Sequence, residues 1–219
     1  MDQRKKGPNS YQTRFVLVTP QVDETARFAP ILSEACTAAD VAAVILRLQQ
    51  APDEAVLRSI RELAPAVQKV EASLLIDGRP DLVEGVHADG VHVLGSEAVA
   101  VARSTVKGDR IVGAARLPSR HDAMTAGENG ADYVMFGEPD DAGIRPTVDS
   151  LVERIAWWSE LFVIPCVACA GHFEEIEPLV RAGADFVALI DEAIWDSPER
   201  VAAALKEAGS RLEVAEAMA

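Results

Sequence analysis

The sequence predicts an α/β protein of the (β/α)₈ TIM-barrel class. Three observations predict it. Eight short apolar runs alternate with helical segments along the chain. The pair Ala-Asp enters every second run, as Ala39-Asp40, Ala88-Asp89, Ala131-Asp132 and Ala184-Asp185. The length of 219 residues suits one barrel, which usually takes about 250 residues and can be built from about 200.

Residues 1–12 are polar and contain Gly7 and Pro8; they read as a flexible tail ahead of a single barrel domain over 13–219. The first apolar run covers 15–19 and stops at Pro20, and a helix is expected over 24–38. The second run covers 41–46, with a helix over 53–70 behind it. The other six runs are 73–76, 91–94, 110–114, 133–136, 165–169 and 186–190. All are apolar on both faces, as strands of a parallel sheet covered on both sides are. Strand and helix in alternation give βαβ units, although the helical segment between the third and fourth runs is short.

Gly130 and Gly183 precede two of the Ala-Asp pairs, where a left-handed residue ends a helix. The repeated Asp residues then fall at the N-terminal rim, which in such barrels serves stability. The alternation also allows an open doubly wound sheet. Its Gly-rich turn after the first strand is replaced here by Thr19-Pro20-Gln21.

Composition narrows the function. Hydrophobic residues make up 49% and aromatic residues 5%, so the core is built from Ala, Val, Leu and Ile. A net charge of −14 argues against nucleic acid and anionic membranes as partners. An anionic ligand would need a local basic pocket. No run reaches the roughly 18 apolar residues of a membrane span, and the N-terminus is not a signal peptide. Cys36, Cys166 and Cys169 are an odd, sparse set that describes no disulfide framework and points to the cytoplasm. Cys166 and Cys169 have C-x-x-C spacing, but in a strand they face opposite sides and read as core residues. Trp157 and Trp158 are adjacent on one helix, which leaves one for a subunit contact in a homodimer.

Three segments stand in a fixed order: Gly130-Ala-Asp-Tyr-Val-Met-Phe-Gly137, Ile164-Pro-Cys-Val-Ala168 leading to Gly171, and Ala182-Gly-Ala-Asp-Phe-Val-Ala188. Arg79-Pro-Asp-Leu82 and Ala88-Asp-Gly-Val-His92 stand upstream of them. With these motifs the chain resembles the thiamine phosphate synthase/TenI superfamily over roughly residues 14–205. The resemblance implies a TIM barrel, Mg²⁺, and a transferase of thiamine biosynthesis. That transferase joins a pyrimidine diphosphate to a thiazole phosphate and releases diphosphate. TenI relatives keep the fold and act as thiazole isomerases.

Position by position, the catalytic rim departs from the family pattern. After the second run the family has Gln-Phe-Arg-Glu-Lys; here Leu46-Arg47-Leu48 keeps only the arginine. After the third, Asp77-Gly78-Arg79 puts Gly at one Mg²⁺-ligand position and leaves Asp77 as the candidate. After the fourth, Glu97 is the remaining carboxylate candidate for the metal. The Ser and His after the fifth run, and the Lys-terminated loop after the sixth, are absent. Gly137 and Gly171 remain as close-approach positions for a ligand. Asp191 stands where the family has a phosphate-binding Ser, with Glu192 beside it.

The candidate site set follows. Asp77 and Glu97 are the Mg²⁺ candidates. His172, in the loop after the seventh run, is the acid/base candidate, and Arg79 is its catalytic partner on the developing charge. Arg47, Arg116 and Arg145 bind substrate with Gly137, Gly171 and Asp191. Structural readings stand beside these: the arginines pair with Asp77, Glu97 or Asp140, Asp191 caps a helix, and His92 is a core residue. Carboxylates at 191 and 192 repel phosphate and suit a cationic or neutral heterocycle. Two functions remain open. One is a divergent transferase or TenI-like isomerase. The other is a non-catalytic barrel that binds a small heterocyclic or anionic ligand.

Overall fold

The computed structural model describes residues 12–140 and 142–217. The expected tail lies outside the described residues except for Gln12. Eight strands pair in chain order: β1 (Arg14–Val18), β2 (Val41–Leu46), β3 (Ser73–Asp77), β4 (Gly90–Leu94), β5 (Ile111–Ala115), β6 (Tyr133–Phe136), β7 (Cys166–Ala170) and β8 (Phe186–Leu189). All pairs are parallel, and β8 closes onto β1. The open-sheet alternative is thereby excluded.

The helices are α1 (Thr25–Ala38), α2 (Asp53–Gln68), α3 (Val83–Val86), α4 (Ser96–Thr105), α5 (Arg120–Glu128), α6 (Val148–Leu161), α7 (Ile176–Arg181) and α8 (Pro198–Ala217). The short third connection is a 3₁₀ turn, Pro80–Leu82, followed by the single turn of α3. Sequence signals fix several starts. Ser119 and Asp122 form a reciprocal capping box on α5, and the Thr147 hydroxyl accepts from Ser150 N at the start of α6.

Strand side chains alternate between two layers. Val91, Val93, Val112, Val134 and Cys166 face the helices. Val16, Ile45, Leu75, Met135, Val167 and Cys169 fill the barrel interior. Cys166 and Cys169 thus lie on opposite faces of β7, as their spacing predicts. That strand begins one residue later than the apolar run, because Pro165 has no N–H to give; its carbonyl accepts from Val134 N at 3.1 Å instead. Trp158 is buried and donates Nε1–H to Ile164 O at 2.7 Å. Trp157 is half-buried beneath the Arg120 guanidinium, 4.8 Å from its ring centre.

The Ala-Asp repeat is a set of rim clamps. Asp89 accepts from Leu74 N at 2.8 Å, Asp132 from Val112 N at 2.8 Å, and Asp185 from Cys166 N at 2.9 Å. Each carboxylate satisfies an amide at the start of the preceding strand. Asp40 instead accepts from Arg14 Nε at 2.8 Å. Gly130 and Gly183 have φ of 95° and 97°, as the helix-ending reading requires. This rim therefore holds the barrel shut, and the opposite rim is left for chemistry. Among the described residues, no helix is long and apolar enough to cross a membrane.

Candidate active site

The C-terminal mouth holds a cavity of about 220 Å³. One register row leads into it, and its Asp77 and His92 line the cavity. Asp77 of β3 lies beside His92 of β4, His92 beside Gly113 of β5, and Gly113 beside Tyr133 of β6. Gly113 has no side chain, and a Cβ there would overlap the Tyr133 ring. The tyrosine can therefore swing across β5. Its hydroxyl reaches His92 Nδ1 at 2.7 Å, and the two rings stack with centroids 5.8 Å apart.

His92 is a core residue, as expected, and it also lines the mouth. It is buried, at 3% exposure, as a core residue would be. However, Val91 and Val93 face outward, so His92 points into the barrel and lines the mouth. Its Nε2 lies 3.8 Å from Glu138 Oε1. Glu138, the first residue after Gly137, also accepts from Arg116 N at 3.2 Å. Arg116 has a left-handed φ of 52°, rare for a residue with a side chain, and the turn sits directly at the site.

Two of the four expected arginines meet here. Arg47 and Arg116 line the cavity with Asp77, His92, Glu138 and Glu192. Arg47 continues the inward parity of Ala43 and Ile45, and its backbone N–H donates to the buried Thr19 hydroxyl at 2.9 Å. Its guanidinium lies 3.7 Å from Asp77 Oδ2 and 3.6 Å from Glu192 Oε1. Both separations exceed a direct hydrogen bond, so the cation is held loosely. Burial pushes the Asp77 carboxyl above its ordinary value, and nearby Glu138 adds to the rise against the pull of His92, Arg47 and Arg116. Burial likewise raises the Tyr133 hydroxyl well above its ordinary value, which keeps it protonated.

The other candidates lie elsewhere. Arg79 donates to Asp53 at 2.8 Å and to Asp81 at 2.6 Å on the surface, and does not line the mouth. Arg145 packs over Gly171 beside Gly137 and pairs with Glu175 at 2.9 Å. His172 is exposed in the loop after β7 and shares a small cavity with Gly171 and Asp191. Asp191 accepts from Ala193 N at 3.0 Å and so caps a 3₁₀ turn, Glu192–Asp196. The mouth therefore gathers Arg47, Arg116 and Asp77 from the expected set. It adds His92 and Glu138, with Tyr133 bonded behind His92, none of which was among the expected site residues.

Of the two expected Mg²⁺ carboxylates, only Asp77 lines the mouth. Glu97 is exposed on the first turn of α4, away from the mouth that Asp77 lines. Asp77 faces Arg47, and Glu138 faces His92 and the Arg116 amide. Among the described residues, no group of three His, Cys, Asp or Glu could hold a metal ion.

Relatives agree with this architecture. Residues 15–193 match the family model described as thiamine monophosphate synthase. The chain is 44% identical over 198 residues to the thiamine-phosphate synthase of Rhodospirillum centenum, covering 89% of this chain and 95% of that protein. It is 34% identical over 203 residues to the thiamine-phosphate synthase of Hyphomonas neptunium, covering 89% and 91%. The solved thiamine phosphate pyrophosphorylase of Pyrococcus furiosus superposes with a TM-score of 0.74 at 24% identity, over 94% of this chain and 98% of that one, which shows a shared fold. On the extent of these matches, the chain belongs to the thiamine monophosphate synthase family.

Proposed function

We propose that this chain is a transferase that joins a pyrimidine diphosphate to a thiazole phosphate at the barrel mouth and releases diphosphate. One observation carries the reading. Arg47, Arg116 and Asp77 at strand ends and His92 within β4 line one cavity, in a chain whose relatives are named thiamine-phosphate synthase.

The residues divide the work by charge. Arg47 and Arg116 hold the diphosphate oxygens, for which a guanidinium fork is well shaped. Arg47 exchanges its two long ion pairs for these closer contacts. The C–O bond to diphosphate breaks with positive charge growing on the pyrimidine methylene carbon. Asp77 and Glu138 face that charge as fixed anions. His92, held through Nδ1 by Tyr133, presents Nε2 to the same space. Ile45, Ile190 and Trp195 supply an apolar wall that limits water. No step of this scheme passes through Mg²⁺. Cys36, Cys166 and Cys169 are buried and lie in no disulfide among the described residues, which favours a reducing cytoplasm.

The test is diphosphate release from the pyrimidine diphosphate with a thiazole phosphate acceptor and Mg²⁺ in the assay. Turnover that is lost in Arg47→Ala supports the reading. A thermal shift with the heterocycles but no turnover would favour a ligand-binding barrel instead. The excess of carboxylates over arginines at the mouth is the feature that speaks for that second reading.

A further inference from the structure

A second cavity, of about 420 Å³, lies beside the mouth, between the loops after β5 and β6. The two cavities share Arg116, Glu138, Pro139 and Asp140 as a common wall. Beyond that wall the second cavity is lined by Leu117, Met135, Phe136 and Ile144, and by two more arginines, Arg145 and Arg154. It offers apolar surface to a ring and cations to an anion, next to the space assigned to the pyrimidine diphosphate.

The charged groups around this cavity differ in what balances them. Arg145 donates to Glu175 through both terminal nitrogens, at 3.3 and 2.9 Å, and is neutralised by it. Glu138 accepts from Arg116 N at 3.2 Å and lies 3.8 Å from His92 Nε2 on the mouth side. Asp140 is folded into its own loop, its Oδ1 accepting from Ala142 N and Ile144 N, both at 2.9 Å. Arg154, on α6, is half-buried and meets neutral groups instead. Its terminal nitrogens donate to Leu117 O at 2.9 Å and Pro118 O at 3.0 Å, and its guanidinium lies 5.9 Å from the centre of the Phe136 ring. The carbonyls fix the fork in place without cancelling its charge. Burial and the nearby Arg120, another cation, hold this guanidinium below the ordinary arginine value. A cation in such surroundings is stabilised by an incoming anion.

We propose that this second cavity seats the thiazole phosphate, with Arg154 as the side chain that takes its phosphate. The proposal rests on the transferase reading above and locates the acceptor. A guanidinium fork is shaped for phosphate oxygens, and one partly withdrawn from water attracts them more strongly than one on an open surface. The phosphate lies at the Arg154 end, and the ring reaches the wall shared with the mouth. There the thiazole nitrogen lone pair forms the C–N bond as the C–O bond of the pyrimidine diphosphate breaks, and the C–O electron pair leaves with diphosphate. The ring nitrogen keeps the positive charge, and the phosphate ester is unchanged.

Barrels also hold phosphate with the loops after strands seven and eight. In this chain Gly171 N donates there to Glu175 Oε2 at 2.7 Å, and Glu175 is only 8% exposed. The cavity left at that corner is about 90 Å³, with Glu174 and Asp191 on its wall. The cavity beside Arg154 is more than four times larger and carries the cation.

The test is calorimetric titration of the full chain with the thiazole phosphate and with inorganic diphosphate, followed by steady-state turnover. Arg154→Gln keeps a donor for the Leu117 or Pro118 carbonyl and removes the charge. It should weaken thiazole phosphate binding about tenfold or more, the scale for losing a charged hydrogen bond, and leave diphosphate binding unchanged. Arg154→Lys restores the charge and should recover part of the loss. In turnover, the KM for the thiazole phosphate should rise while that for the pyrimidine diphosphate stays the same. A wild-type readout holds whether or not the variants fold. Ile144 and Met135 line this cavity and not the mouth, so their methyl resonances should shift with the thiazole phosphate and not with diphosphate. Unshifted methyls at saturation, or equal affinity in Arg154→Gln, overturn the proposal. Binding lost in Asp191→Ala but kept in Arg154→Gln places the phosphate at the other corner and overturns it too. The two readings fail separately. Coupled product with an unchanged KM in Arg154→Gln keeps the transferase and removes this site. Arg154-dependent binding without coupled product keeps the site and removes the transferase.

Discussion

Glu175 closes the loop after β7 onto itself, its Oε2 accepting from the Gly171 amide at 2.7 Å and from Arg145 at 2.9 Å. Burial alone would raise this carboxyl. The hydrogen bonds from Arg145 and Gly171 outweigh it and hold the group below its ordinary value. Removing the carboxylate leaves Arg145 without its anion in a mostly buried place. Glu175→Ala should therefore cost about 2–3 kcal/mol, less than for a fully buried pair because Arg145 keeps some solvent contact. Denaturant unfolding measures it.

The same carboxyl gives a pH dependence. Its folded value is lowered, so its contribution is full above the ordinary glutamate value of about 4.3 and is lost as pH falls through the lowered value. Glu175→Gln should flatten the acid limb of the stability curve. An unchanged acid limb would show that the pair contributes nothing net.

Tyr133 reaches His92 only because Gly113 lies between them in the register row. Gly113→Ala should cost about 1–3 kcal/mol by overpacking and push the tyrosine off the histidine. Tyr133→Phe keeps the packing and loses one hydrogen bond, worth about 0.5–1.5 kcal/mol. In both variants the ¹⁵N spectrum of the His92 ring should report a changed tautomer balance. A spectrum identical to wild type would mean that Tyr133 does not fix the ring.

Arg47 and Arg79 separate the mouth from the surface. Arg47→Ala should lower turnover about a hundredfold or more, the scale for losing a group that stabilises reacting charge. Arg79 pairs with Asp53 and Asp81 outside the cavity. Arg79→Ala and Glu97→Ala should leave turnover within about twofold and stability within about 1 kcal/mol. Steady-state kinetics of the three variants decide it.

Asp77 carries the opposite linkage to Glu175. Burial raises its folded value, so its ionised form is penalised in the fold. Stability assigned to this group is full below the ordinary aspartate value of about 3.9 and is lost as pH rises through the raised value. Asp77→Asn should gain in melting temperature over wild type across that rise and hold the gain at neutral pH, while turnover falls. Equal melting curves at pH 7 would contradict it.

The scaffold was legible because its signals are local. Apolar runs such as VAAVIL, the Ala-Asp clamps and the helix-ending Gly130 and Gly183 each act within a few residues or on the neighbouring strand. The site was less so. Arg47, Arg116 and Asp77 stand directly at strand ends and could be placed by counting. His92 required strand parity, and its link to Tyr133 required the register of three strands with a glycine in the middle. Arg79 and Arg145 misdirect for the same reason: each sits on the right rim, but a nearby carboxylate pulls the long side chain away. Glu175 carries a signal only in retrospect, as the acid four residues after the glycine whose amide it takes.

The most direct measurement of the central claim is C–N bond formation between the pyrimidine diphosphate and the thiazole phosphate, with product identified by mass spectrometry in wild type and Arg47→Ala. The account predicts the coupled product and stoichiometric diphosphate from wild type, and both at a rate lower by about a hundredfold or more from the variant. Coupled product at equal rates from both proteins, or none from wild type with all substrates bound, would contradict it.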